Sequence, residues 1–402
     1  MAGGRHAGPP GQGGRVRLPP HVARLVLLVS AVVGVDTIFY AALAPLLPYY
    51  QHSAGLTEAG AGVLVAAYAA GTLVGALPSG ALVARVGARP GLLVGLALMS
   101  VSSAVFGFAS SIAWLLIAAR FVQGIGGAAS WAAGLAWLAA AAPAERRGEL
   151  LGTAFGAAVA GALLGPVVGA VADQIGTAWT FCAAAVLGAA LAAWSLLVGS
   201  SEQEPQRLRE ALPALRARGV RLGLLLIVVS GVAYGVVEVL APLQLDAAGA
   251  TALFISATFL LAAVLATVAS PLVGRLSDVR GAAWPTRLSL AGIIGLSVLA
   301  AFVTPLWSLA VIFVLGLPFF DALMVPTMAA VSDGAQAAGL HQGLAFALVN
   351  FAWAGGMTVA AAGSGAMAEA AGDWVPYLFL VAVCLSSWVA AGRLSAGREP
   401  PR

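Results

Sequence analysis

The sequence predicts an all-α polytopic membrane protein, with twelve transmembrane helices in two pseudo-symmetric six-helix bundles. Three observations predict it. Of 402 residues, 61% are hydrophobic and only 9% are charged, against about 25% charged in soluble domains. Apolar runs of about 20 residues or more recur along the whole chain, each long enough to cross a hydrocarbon layer roughly 30 Å thick as a helix. One long polar stretch, residues 199–219, divides these runs six and six. A large soluble helical protein is excluded, because this composition cannot supply its polar surface.

The elements follow in order. Residues 1–21, rich in Gly, Pro and Arg, read as a disordered tail; they lack the short apolar stretch and cleavage site of a removed signal. An N-terminal bundle over 22–198 holds runs near 22–47, 57–82, 88–109, 112–140, 149–172 and 176–198. The polar loop 199–219 carries Glu202, Glu204 and Glu210 among arginines. A C-terminal bundle over 220–394 holds runs near 220–245, 250–274, 284–303, 306–331, 341–367 and 374–394, before a tail at 395–402. Lipid offers no partner for free backbone amides, so each run is expected to be a helix. Cys182 and Cys384 lie in apolar runs and read as small buried residues, not as a disulfide framework or a metal site. No cofactor is expected.

Charge sets the orientation. All basic residues are arginine. With the N-terminus in the cytoplasm, nineteen of the twenty arginines fall on cytoplasmic tails, loops or helix ends; Arg120, in or near the fourth run, is the remaining one. This positive-inside pattern supports an even number of spans with both termini cytoplasmic, in the cell membrane. It also accounts for the net charge of +4 without nucleic acid as a partner. A monomer is expected.

The two halves look alike. Leu43-Ala44-Pro45-Leu46 in the first run recurs as Leu240-Ala241-Pro242-Leu243 in the seventh. Gly80-Ala81-Leu82 with Gly87 recurs as Gly274-Arg275-Leu276 with Gly281. Matched positions point to parallel halves related by an axis along the membrane normal.

Four stretches resemble the major facilitator superfamily, over essentially the whole chain. Gly80, Arg85, Gly87 and Arg89 look like its cytoplasmic gate motif, with Ala84 where the family has aspartate; the second copy, Gly274, Asp278 and Gly281, keeps the acid. Arg120-Phe121-Val122-Gln123-Gly124 is similar to the motif in which a buried arginine serves proton coupling. Gly152, Gly161, Gly165, Pro166 and Gly169 look like the antiporter motif, although Ala170 replaces its final glycine. Gly161, Gly165 and Gly169 recur every four residues, so they stripe one helix face and let a neighbour approach closely. Val35-Asp36-Thr37 with Pro45 and Pro48 resembles the drug–proton antiporter branch and its vesicular amine transporter relatives. Those relatives carry acids in the first, seventh and tenth helices.

This chain has an acid in each of the same three: Asp36, Glu238 and Asp321. The other thirteen acids can sit at loops or helix ends. An ionisable group inside a spanning helix is a functional candidate by default. A carboxylate stripped of water holds a proton readily, and an arriving cation releases it, so proton and cationic cargo compete for one group. Three acids against Arg120 favour organic cations. Tyr40 lies one turn from Asp36, Tyr234 one turn from Glu238, Phe320 precedes Asp321, and Asn350 lies one turn from Trp353. Aromatic faces bind cations and flat apolar molecules, which makes these substrate-contact candidates. Pro318 and Pro326 flank Asp321 and could kink its helix.

The expected function is proton-coupled export of small amphipathic, cationic organic compounds or drugs by alternating access. The partners are then a small-molecule substrate, protons and the lipid bilayer. A proton symporter or a uniporter for a polar metabolite is the alternative within transport. A receptor or scaffold would have no reason to bury three acids and an arginine. An intramembrane enzyme is disfavoured, since His6, His21, His52 and His341 all fall at tails or helix ends.

Overall fold

The computed structural model describes residues 19–143, 146–199, 215–339 and 342–392. Among these residues there are thirteen α-helices and no strand. They are α1 (Pro20–Ala41), α2 (Leu43–Ala54), α3 (Glu58–Val86), α4 (Ala88–Phe108), α5 (Ala113–Ala141), α6 (Arg147–Ile175) and α7 (Thr177–Leu197) in the N-terminal half. The C-terminal half holds α8 (Arg218–Ala247), α9 (Ala252–Arg280), α10 (Ala283–Phe302), α11 (Leu306–Ala337), α12 (Gln342–Ala371) and α13 (Trp374–Gly392). Ten of these helices are long and apolar enough to cross a membrane over their described residues. The expected N-terminal tail, central loop and C-terminal tail lie mostly outside the described residues.

Every expected run is a helix, and the first is two. Its break falls at Ala42, between α1 and α2. Pro45 explains the position: it has no N–H to donate to the Ala41 carbonyl, and its ring crowds that oxygen. The matching Pro242 is absorbed inside α8, which stays continuous. Pro318 and Pro326 are likewise absorbed inside α11.

The internal repeat is clearest in α3 and α9. Each begins after a capping threonine: the Thr57 hydroxyl accepts from the Gly60 amide, and the Thr251 hydroxyl from the Phe254 amide. Each ends at a glycine in the left-handed region, Gly87 at φ 89° and Gly281 at φ 78°, where a side chain would be strained. Gly80 and Gly274 lie inside these helices, before the turns.

Packing repeats as well. In the N-terminal half α1 lies against α5 and α6, α3 against α5, and α4 against α5 and α7. In the C-terminal half α8 lies against α11 and α12, α9 against α11, and α10 against α11 and α13. The halves meet where α3 packs on α12 and α6 on α9. Exchanging the halves maps each of these contacts onto another, which is what a pseudo-twofold axis requires.

With twelve crossings, α1 begins and α13 ends on one side, the termini side. On the far side the buried residues of both halves merge into one core that includes Leu46, Leu64, Val236, Leu245 and Met357. Towards the termini side the cores are separate. Val29, Leu92 and Trp137 belong to the N-terminal one, and Val220, Ile227 and Val331 to the C-terminal one. The halves are thus closed on the far side.

Candidate functional site

Three tyrosine–carboxylate pairs occupy the middle of the fold. Asp36, on α1, is 3% exposed. Its carboxylate accepts from the Tyr68 hydroxyl of α3 at 2.9 and 3.0 Å and from the Trp131 indole N–H of α5 at 2.8 Å. Glu238, on α8, accepts from the Tyr40 hydroxyl of α1 at 2.9 and 3.0 Å, a bond that joins the two halves. Asp321, on α11, accepts from the Tyr234 hydroxyl of α8. Glu238 and Asp321 are both half-buried. The sequence places Tyr40 one turn after Asp36 and Tyr234 one turn before Glu238; in the fold each of these tyrosines turns to an acid on another helix.

Rings connect the pairs. Tyr40 packs on Tyr68, with centroids 4.9 Å apart, and on the edge of Trp353 at 6.1 Å. Trp353 in turn lies 6.5 Å from Tyr234. Phe320 meets Tyr234 at 5.9 Å from within the C-terminal core, where it is fully buried. Asn350 lies one turn from Trp353 towards the termini side and is exposed.

Arg120, on α5, is 1% exposed and does not snorkel. Its guanidinium donates to the Gln123 side-chain oxygen at 2.7 Å and to the Phe39 carbonyl at 3.5 Å. Gln123 passes the chain on to the Ser103 hydroxyl at 3.2 Å. The guanidinium carbon lies 5.1, 5.7 and 5.9 Å from the ring centres of Tyr68, Phe106 and Tyr40. Its Nε has no hydrogen-bond partner, and among the described residues no carboxylate is within ion-pair distance of it. The charge is held by rings and amides, near but not against the acids.

The Major Facilitator Superfamily model matches residues 29–345, most of the chain. The chain belongs to the major facilitator superfamily. It is therefore a multi-pass membrane transporter. No curated protein matches the sequence. Among solved structures, the crystal structure of the human organic anion transporter MFSD10 (TETRAN) aligns over 93% of this chain and 100% of that one, with a TM-score of 0.69. At 18% identity the likeness is one of fold.

The superfamily motifs take these places. Gly161, Gly165 and Gly169 line the face of α6 that packs on the first span. A Cβ on Gly161 would lie 2.6 Å from the Gly34 carbonyl oxygen, and one on Gly169 would lie 2.5 Å from the Pro45 ring. Gly165 meets Ala41 in the same way. Gly152 has open space around it and takes no part in that contact. Pro166 sits inside α6 without ending it. In the stretch that resembles the gate motif, Arg89 donates to the Val198 carbonyl and lies 5.6 Å from the Trp137 ring centre, tying the start of α4 to the end of α7. Arg85 is exposed. The side chain of Asp278 falls outside the described residues.

Sequence reasoning missed Tyr68 and Trp131 as partners of Asp36. Trp131 was within reach: with Arg120, Gln123 and Gly127 it follows the three- and four-residue steps of one helix face. Nothing in the second run marks Tyr68 beyond being a tyrosine in its middle.

Proposed function

We propose that this superfamily transporter exports small amphipathic organic cations in exchange for protons, with both termini in the cytoplasm and a single copy sufficient. The observation that carries the reading is the state of Glu238 and Asp321. Both lie half-buried in the middle of the fold, each held by one tyrosine hydroxyl, and among the described residues no cation is within ion-pair distance of either. A carboxylate with so little fixed company takes a proton or a cationic guest, and not both at once. The Tyr40, Tyr234 and Trp353 rings supply flat faces beside these acids, suited to an ammonium group with apolar surroundings. Separated cores on the termini side, with exposed Asn350 below Trp353, agree with loading from that side.

An organic anion is the second reading. It draws on Arg120, whose Nε lacks a partner, and on the likeness in fold to MFSD10, an organic anion transporter. Burial of Arg120 beneath Tyr40, Tyr68 and Phe106 weighs against it, since a guest must displace those rings to reach the charge.

The test is efflux of a fluorescent lipophilic cation from intact cells, with and without an uncoupler, for Asp36→Asn, Glu238→Gln and Asp321→Asn. At least two of the three variants are expected to lose gradient-driven efflux while remaining inserted. Full activity in all three overturns the coupling assignment. Proteoliposomes separate the alternatives: antiport acidifies the compartment the substrate leaves, symport makes it more alkaline, and a uniporter does neither.

A further inference from the structure

We propose that Tyr40 is a positioning residue whose hydrogen bond to Glu238 latches the two halves together at mid-depth, and that this bond must break for the far side to open. The inference deepens the exporter reading by assigning a step to one contact of the same site. It stands on geometry that holds whatever the cargo.

Of the three tyrosine–carboxylate pairs, two are internal to a half. Tyr68–Asp36 joins α3 to α1, and Tyr234–Asp321 joins α8 to α11. A rigid-body movement of one half against the other leaves both intact. Tyr40–Glu238 alone among the three joins α1 to α8, helices of opposite halves. Among the described residues, it lies deeper than the other side-chain hydrogen bonds that span the halves. His52–Asp246 at 3.2 Å and the Glu369 carboxylate accepting from the Ala59 amide at 3.0 Å both sit at the far-side helix ends, open to water. The Tyr40–Glu238 bond is screened by the Tyr68 and Trp353 rings, so water replaces it poorly when it breaks.

The same bond links closure to loading. Tyr40 donates its hydroxyl to the carboxylate on which proton and cation compete. An ammonium group that seats on Glu238 takes the lone pairs that the hydroxyl used and frees Tyr40. Occupancy of the acid and release of the halves then become one event, which is the requirement for exchange without slippage.

The experiment reads the far side directly. Spin labels are placed at Ser53→Cys on α2 and Ala247→Cys on α8, both exposed at far-side helix ends, with Cys182 and Cys384 replaced by alanine. The distance distribution is measured by pulsed electron resonance in lipid nanodiscs. Tyr40→Phe keeps the ring and removes the donor; it is expected to raise the ratio of long to short distances roughly tenfold, in line with loss of a hydrogen bond to a charged group. Glu238→Ala is expected to do the same, and the double variant no more than either alone. Glu238→Gln keeps an acceptor oxygen but loses the charge, and is expected to fall between the parent and Tyr40→Phe. Tyr234→Phe, which breaks the equivalent pair inside one half, is expected to leave the distribution unchanged. An unchanged distribution in Tyr40→Phe, or an equal shift in Tyr234→Phe, overturns the latch. Neither outcome touches the exporter reading, which fails on efflux and not on these distances.

Discussion

In the N-terminal half, Asp36 is sealed from solvent and accepts from two donors on two other helices. In the C-terminal half, Asp321 is half-buried with one tyrosine, and Glu238 borrows its tyrosine from across the interface. The same residue chemistry, placed by a repeated fold, is therefore more fully partnered on one side than on the other. Two oriented donors and the guanidinium of Arg120 nearby stabilise a carboxylate as a permanent part of the framework. A single hydroxyl is a lone donor, one that an arriving guest can displace. On this reading the N-terminal half is the anvil of the cycle and the C-terminal half its working face.

The largest effect that could break the contrast comes from stripping Asp36 of its donors. Combining Tyr68→Phe with Trp131→Phe leaves a buried carboxylate unsatisfied and is expected to cost about 2–4 kcal/mol, read as a clear loss of thermal stability in detergent. Tyr234→Phe on the half-buried Asp321 should cost less than half of that by the same measurement. Equal losses would erase the distinction between the halves. A smaller effect sharpens it. A Cβ on Gly127 would sit 2.7 Å from the Tyr68 hydroxyl oxygen and 3.1 Å from an Asp36 oxygen. Gly127→Ala is expected to push that pair apart at a cost of about 1 kcal/mol, visible as a lowered melting temperature. An unaltered melting temperature would mean that the N-terminal pair is looser than its geometry indicates. The smallest effect concerns a contact in water: His52 is 73% and Asp246 34% exposed. His52→Ala should change stability by under about 1 kcal/mol and leave the far-side distances of the labelled protein where they were. A large opening would place the closure at the surface and not at mid-depth.

The fold was largely legible because its rules act over short stretches of sequence. Run length, arginine placement and the paired Leu-Ala-Pro-Leu segments are local signals, and lipid leaves a long apolar run little choice but helix. Both three-residue matches, at Gly80 and Gly274, also lay in corresponding helices. The split of the first span was less legible. Pro45 and Pro242 sit in identical tetrapeptides, and one breaks its helix where the other does not, so the tetrapeptide alone does not decide the break. For the site, the acids and Arg120 were visible as charges where charges are costly. Their partners were not. One-turn spacing suggested Tyr40 for Asp36 and Tyr234 for Glu238, yet hydroxyls reach sideways between helices, and which neighbour they reach is fixed by helix packing that no single run encodes.

The seam between α3 and α12 carries a consequence for the pace of the cycle. Gly62 and Gly365 bring the two backbones together there: a Cβ on Gly62 would lie 2.5 Å from the Ala361 carbonyl oxygen, and Gly365 abuts the Glu58 carbonyl. In an alternating-access cycle, each opening of the far side wets this buried strip, and each closing expels the water again. Apolar hydration carries a large heat capacity, so turnover inherits a curved dependence on temperature. Solutes excluded from protein surfaces act as a brake on the same step.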